Sequence, residues 1–268
     1  MLETKPSNKH WYLIALAVLS VAAAFVLPAL PQPAQYHQFA DHRHFLGIAN
    51  FLDVVSNLGF LVAGIAGLRV TLSPRTVFEQ RRERWPYAIF FIGVGLTALG
   101  SGYYHLLPDN GRLFWDRLPM TVAFMSLVSA QVVDRISIRA GLVLLGPLLL
   151  VGAGSAVYWI MTERAGAGNV VPYGVLQAAS AILLLALVVL YPSRYTHGSD
   201  LYWALVAYLA AKLLETFDGE VLALGHLASG HTLKHLAAAL AAFVVLRMLA
   251  SRRLTGGVTG WGDQPSPR

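Results

Sequence analysis

The chain contains no cysteine and little charge. The first absence excludes a disulfide framework, a thiolate metal site and a cysteine nucleophile together. The second is almost as informative: only 13% of the 268 residues are charged, about half the share usual in a soluble domain. Apolar residues fill the space, at 56% of the chain with a mean hydropathy of +0.56. They fall in recurring runs of roughly 20 residues, each long enough to cross a bilayer core. Backbone polar groups find no water in lipid, so only helices and closed barrels span it. The runs are continuous rather than alternating, which selects helices. The expected fold class is therefore all-α, a polytopic transmembrane helical bundle.

Eight spans are predicted, over 11–30, 50–71, 87–107, 116–133, 140–161, 171–191, 200–217 and 231–250. The connections are short, there is no internal repeat, and no linker marks a second soluble domain. The first span, Trp11 to Leu30, reads as a retained helix, because LPALPQPAQ is a poor small-residue cleavage site. The Gly- and Pro-rich tail from Thr255 to Arg268 reads as disordered. With the N-terminus placed inside, 14 of the 20 Lys and Arg residues fall in inside segments and 4 outside. Lys212 and Lys234 lie within helices. This asymmetry predicts both termini on the cytoplasmic side. It also accounts for the net charge of +6 without nucleic acid, for which the sequence holds no motif.

Ionisable groups inside membrane spans are costly and by default mark function or pairing. Here they gather at the outside ends of the spans. Ser101 and His105 close the third, and Asp116 opens the fourth. Asn50, Asp53 and Asn57 open the second, Glu215 and Asp218 end the seventh, and His231 and His235 open the eighth. His231 and His235 are i,i+4 and share a helix face, as do Ser101 and His105. Three neutral imidazoles with an open fourth position form a known catalytic zinc arrangement, with Asp116 free to hold or deprotonate a water. Asn50, Asp53 and Asn57 form one polar stripe that serves either as support for the metal or headgroup or as a helix–helix hydrogen-bond seam.

Other polar residues have plainer readings. His10, His37, His42, His44, His197 and His226 fall in tails or loops and read as surface residues. Lys212 and Glu215, i,i+3, read as an intrahelical ion pair. Lys234 is expected to point away from the histidines and to snorkel toward headgroups. Pro108-Asp109-Asn110-Gly111 reads as a turn.

Three segments together resemble the alkaline ceramidase family: Gly100-Ser101-Gly102-Tyr103-Tyr104-His105, Trp115-Asp116-Arg117-Leu118-Pro119-Met120 and His231-Thr232-Leu233-Lys234-His235. Asn50-Phe51-Leu52-Asp53-Val54-Val55-Ser56-Asn57 adds to the likeness. That family belongs to a superfamily of seven-helix membrane hydrolases that includes the adiponectin and progestin-type receptors. The resemblance covers about 41–250. It implies a seven-helix hydrolase domain there, preceded by an extra N-terminal transmembrane helix and outer loop at 1–40 and followed by a tail at 251–268. It further implies a zinc-dependent amidase acting on ceramide or another N-acyl membrane lipid, with His105, His231 and His235 as zinc ligands and Ser101 and Asp116 as catalytic residues. The family also carries a Ca2+ site near the helix matching 50–71. Here Asn50 stands where an acid is typical, leaving Asp41 and Asp53 to compensate. Arg117 likewise replaces an acid.

Amide hydrolysis by such a site needs an activated water, which zinc supplies, and a proton acceptor, which Asp116 supplies. Ser101 is expected to donate to the developing oxyanion. Two other classes stay open on the residues alone. One is a zinc-braced membrane receptor or sensor of the same architecture, and the other is a haem- or metal-handling membrane protein. No protein partner is inferable, and a bacterial inner membrane is the expected location.

Overall fold

The computed structural model describes residues 9–255. The expected disorder of the tail falls at 256–268, outside the described residues. Among those residues the chain is an all-α bundle with no β-sheet. Its helices are α1 (Lys9–Val26), α2 (Phe51–Ser56), α3 (Leu58–Leu72), α4 (Arg84–Leu106), α5 (Asn110–Arg135), α6 (Ile138–Arg164), α7 (Val171–Leu190), α8 (Asp200–Thr216), α9 (Asp218–Gly225) and α10 (Gly230–Ser251).

Six of the eight expected spans are long and apolar enough to cross a membrane, which makes this a multi-pass membrane protein. The exceptions are α5 and α8. The α8 helix has 17 residues, about 26 Å at 1.5 Å per residue. The α5 helix has 26 residues and so has the length, but Asp116, Arg117, Gln131, Asp134 and Arg135 lie along it and make it too polar. All five are buried inside the bundle, so the polarity of α5 faces protein rather than lipid.

Local chemistry sets several boundaries. Pro28 disfavours helical geometry at Leu27, and α1 stops at Val26. Asp109 accepts a hydrogen bond from Arg112 N (2.8 Å) and caps α5. The Pro108–Gly111 turn is thus also a helix start, and α5 begins six residues before the expected span. The expected span over 50–71 is broken at Asn57, whose Nδ2 donates to the Asp53 carbonyl (2.7 Å) and competes with the helical ladder. The short helix α9 lies in what reads from sequence as a loop.

Packing closes α3, α4, α5, α7, α8 and α10 into a ring around a common core, with α6 outside against α5 and α7. Phe60, Phe91, Leu127, Leu201, Val245 and Leu249 are among the buried residues joining these helices. The α1 helix buries none of its residues and lies along α7. Lys9 Nζ donates there to the Leu190 carbonyl (3.1 Å), and His10 pairs with the Tyr191 hydroxyl (2.9 Å). Gly100 sets the closest approach that matters for the site, since a Cβ there would collide with the Trp115 carbonyl. Its lack of a side chain lets α4 lie against α5 where Ser101 and Asp116 face each other.

Candidate metal centre

The C-terminal end of α4 and the N-terminal ends of α2, α5 and α10 meet at one end of the bundle. There His105, His231 and His235 come together, all buried. Their ring centroids lie 4.8 Å (His105–His231), 4.9 Å (His105–His235) and 5.0 Å (His231–His235) apart. One nitrogen from each lies within 4.8 Å of the others, and the trio could hold a metal ion.

The hydrogen bonding of two of the three rings fits that reading. Both ring nitrogens of His105 are buried without a partner. An unsatisfied buried donor or acceptor costs about 1–3 kcal/mol, and this ring has two. The His235 Nδ1 lies 2.8 Å from Ser56 Oγ, while Ser56 itself donates to the Asp53 carbonyl (3.1 Å). Ser56 Oγ is therefore the acceptor toward His235, so Nδ1 carries the proton and the Nε2 lone pair is free. The His231 Nε2 lies 2.8 Å from Lys234 Nζ, and an ammonium has only protons to offer. That lone pair is therefore occupied by Lys234 and becomes available to a metal only when the ammonium moves aside. His105 and His235 each keep a ring nitrogen free for an ion.

Asp116 and Ser101 line the same cavity as His235, with the Ser101 hydroxyl beside the Asp116 carboxylate. Both are buried. Tyr104 is buried against Phe39 and His105, whereas Tyr103 turns outward under Arg112.

Lys234 does not snorkel away. The i,i+3 spacing places it beside His231, and its Nζ also reaches Glu215 Oε1 (3.0 Å). Glu215 accepts from Lys212 as well, so the intrahelical pair expected from sequence is there within a larger network. His37 is not a surface residue either. It is partly buried and bonds the Tyr104 hydroxyl and Asn110 Oδ1, both at 3.0 Å. His42, His44, His197 and His226 are exposed.

The stripe on α2 is a support. Asn50 donates through Nδ2 to the His105 carbonyl (2.8 Å) and so ties α2 to the end of α4. Asp53 accepts from Thr232 (2.6 Å) and ties α2 to α10 between the two histidines. In the expected Ca2+ region, Asp53 Oδ2 and Asn57 Oδ1 are buried without a partner, while the other polar groups are taken by protein. The Arg43 guanidinium takes both oxygens of Asp41, and Asn50 and Asn57 each turn an amide NH2 toward a carbonyl. The hydrogen bonds from Arg43 hold the Asp41 carboxyl below the usual carboxylate range.

Several contributors lie outside the sequence motifs. The segment 30–41 folds over the trio. Phe39 is buried with its ring 4.6 Å from His105 and 4.7 Å from His231. Tyr36 donates to Glu215 (3.2 Å), and burial beside that carboxylate raises its phenol above the ordinary tyrosine range. Asp218 accepts from His231 N (2.7 Å) and Ala40 N (2.9 Å), joining this cover to the start of α10. Thr232 and Ser56 sit inside segments quoted above, where their hydrogen-bonding types are the only signal.

A cavity of about 300 Å³ runs from His235 of the trio into the bundle. Ser101, Asp116 and His235 line one end, and Phe90, Leu201 and Val245 line the other. His235 and Val245 are ten residues apart on α10, so the apolar part reaches roughly 15 Å along the helix. Ala204, Ala238, Ala241 and Ala242 face it, and their small side chains leave the space open. A haem sandwiched between two of these rings does not fit, because axial rings on opposite faces of a porphyrin stand farther apart than the 5.0 Å or less seen here. Comparison with family models, curated proteins and solved structures finds no match to this chain.

Proposed function

We propose that the protein is a zinc-dependent intramembrane lipid amidase, similar to the alkaline ceramidases, that hydrolyses the amide bond of a ceramide or related N-acyl lipid. The observation that carries this reading is the junction of a buried three-histidine cluster with an apolar cavity inside a membrane bundle.

His105, His231 and His235 would hold the ion. Three imidazoles suit zinc among the common metals. A tetrahedral ion with bonds of 2.0–2.1 Å needs ligand nitrogens about 3.3 Å apart. The trio lies within 4.8 Å, so small side-chain rotations are enough. Zinc bound there supplies Lewis acidity, polarising a carbonyl and lowering the pKa of water to about 7. The chain supplies the rest. Asp116 accepts the proton of the attacking water and returns it to the leaving amine. Ser101, beside the Asp116 carboxylate, would steady it or donate to the developing oxyanion. Phe39 and Tyr36 roof the reacting end and limit bulk water, while the lipid tail lies toward Leu201 and Val245.

The Lys and Arg asymmetry favours cytoplasmic termini and a site at the outer face of a bacterial inner membrane. Lipid then reaches the cavity from the outer leaflet.

The test is hydrolysis of a panel of N-acyl lipids by protein purified in detergent with zinc, with fatty-acid release followed by mass spectrometry. Turnover by the wild type, lost in His235→Ala and reduced at least ~100-fold in Asp116→Asn, is expected. Full activity in His235→Ala would overturn the reading.

A further inference from the structure

Arg117 lies one residue from Asp116 and lines the same cavity. It is 5% exposed. Its guanidinium sits in an aromatic box, 4.1 Å from the Trp159 ring centroid, 4.7 Å from Tyr173 and 5.4 Å from Tyr36. Nη2 donates to the Gln32 side-chain oxygen (2.7 Å), and Nη1 is buried without a partner. Among the described residues no carboxylate forms an ion pair with it, although every other buried arginine has its charge or most of its donors met. Arg252 pairs with Asp134, and Arg135 donates to Gln131, Tyr191 and Gly198.

Asp116 lies near enough to act on Arg117 electrostatically but forms no ion pair with it, and Glu215 takes Lys212, Lys234 and Tyr36. The charged residues lining the cavity are three cations (Arg117, Lys212, Lys234) and two carboxylates (Asp116, Glu215), so one positive charge is left over. A buried cation without a counter-charge is costly. Three aromatic faces ease that cost and fix the plane of the guanidinium.

We infer that Arg117 binds an anionic group on the lipid, and that the preferred substrates are N-acyl amino acids rather than neutral ceramides. This rests on the amidase reading and names its substrate class. In an N-acyl amino acid the carboxylate carbon is two bonds from the amide nitrogen. A scissile amide held beside Asp116 therefore carries its carboxylate within reach of the next residue on α5. A guanidinium presents paired donors that match a carboxylate, whereas a ceramide headgroup offers only hydroxyls.

The experiment is direct binding, measured by calorimetry in detergent on metal-stripped protein, so that it does not depend on turnover. The probes are N-oleoylglycine, its neutral carboxamide and an oleoyl ceramide. The wild type is expected to bind the acid about 100-fold more tightly than the carboxamide or ceramide, the scale of a buried charge-assisted pair. Arg117→Gln should abolish that preference, and Arg117→Lys should restore part of it. Equal binding of acid and carboxamide by the wild type would overturn the inference, and that arm requires no variant to fold. Preferential binding of the acid that persists unchanged in a folded Arg117→Gln protein would overturn it too. Acid-selective binding through Arg117 without hydrolysis of any lipid amide by the zinc-loaded protein would uphold the anion site while sinking the amidase reading.

Discussion

The two ends of the bundle each bury an arginine in an aromatic box, and they use it differently. At the end away from the histidines, Arg252 stacks on Phe78, Tyr195 and Tyr87. It meets the Asp134 carboxylate at 3.3 Å and donates to the Val77 carbonyl at 2.7 Å. Tyr87 donates to Asp134 at 2.6 Å, and Gln131 and Arg135 extend the network. At the histidine end, Arg117 has the same aromatic surroundings but only an amide oxygen as partner. Both guanidinium groups keep one unpartnered nitrogen. What separates them is the counter-charge. In the Arg252 cluster the guanidinium is met by a carboxylate of the chain, and the pair braces α5 against α10. The Arg117 region is left cationic beside a cavity and beside three imidazoles within reach of one ion. One end meets its buried arginine with a carboxylate of the chain, and the other does not.

The largest contrast should appear in stability. Arg252→Gln leaves Asp134 buried and unpaired and is expected to destabilise the protein by about 3–5 kcal/mol. Arg117→Gln removes an unpaired charge and should cost about 1 kcal/mol or less, the scale of the lost stacking and hydrogen bond. Denaturant titration in mixed micelles measures both, and equal losses would erase the distinction between the ends. Next comes Gly100→Val, which forces α4 and α5 apart beside Ser101 and Asp116. Overpacking of this kind costs about 1–3 kcal/mol. Any lipid-amide hydrolysis should fall far more than the stability loss explains, and unchanged turnover would show that the Ser101–Asp116 contact is dispensable.

Ser56→Ala should leave stability nearly untouched while weakening metal binding about 10–100-fold, because His235 loses the partner that sets its tautomer. Competition with a chelator would read this, and unchanged affinity would remove Ser56 from the site. The smallest expected effect concerns the cover over the trio. Arg43 joins Asp41 to the carbonyls of His226 and Leu227. The Asp41 carboxyl is held below its ordinary value of about 3.9, so its contribution is full above that pH and is lost as pH falls through the lower folded value. Hydrogen exchange at 41–44 and 226–228 should therefore quicken only in acid below about pH 4. Asp41→Asn should bring the fast rate to neutral pH.

The fold was largely legible because membrane helices announce themselves by composition. Long apolar runs without charge admit few other structures, and order and spacing followed directly. The trio was legible for a related reason: His231 and His235 share a helix face by periodicity, and His105 is conspicuous in an apolar span. The limits have physical causes too. The polarity of α5 is buried against protein, so its ends lay outside its most apolar stretch. Asp134 and Arg135 read as loop residues, which hid the second ionic cluster entirely. Lys234 carries an apolar stem long enough to reach either lipid headgroups or His231, and sequence does not decide between them. Phe39 and Tyr36 act through tertiary placement of an irregular segment, and no local pattern marks them.

The most direct test of the central claim is elemental analysis of the purified protein beside the His231→Ala/His235→Ala double variant. About one zinc per chain in the wild type and none in a folded double variant is the predicted result. A well-folded wild type that carries no zinc and takes up none when it is supplied would contradict the account, and the hydrolase reading would fall with it.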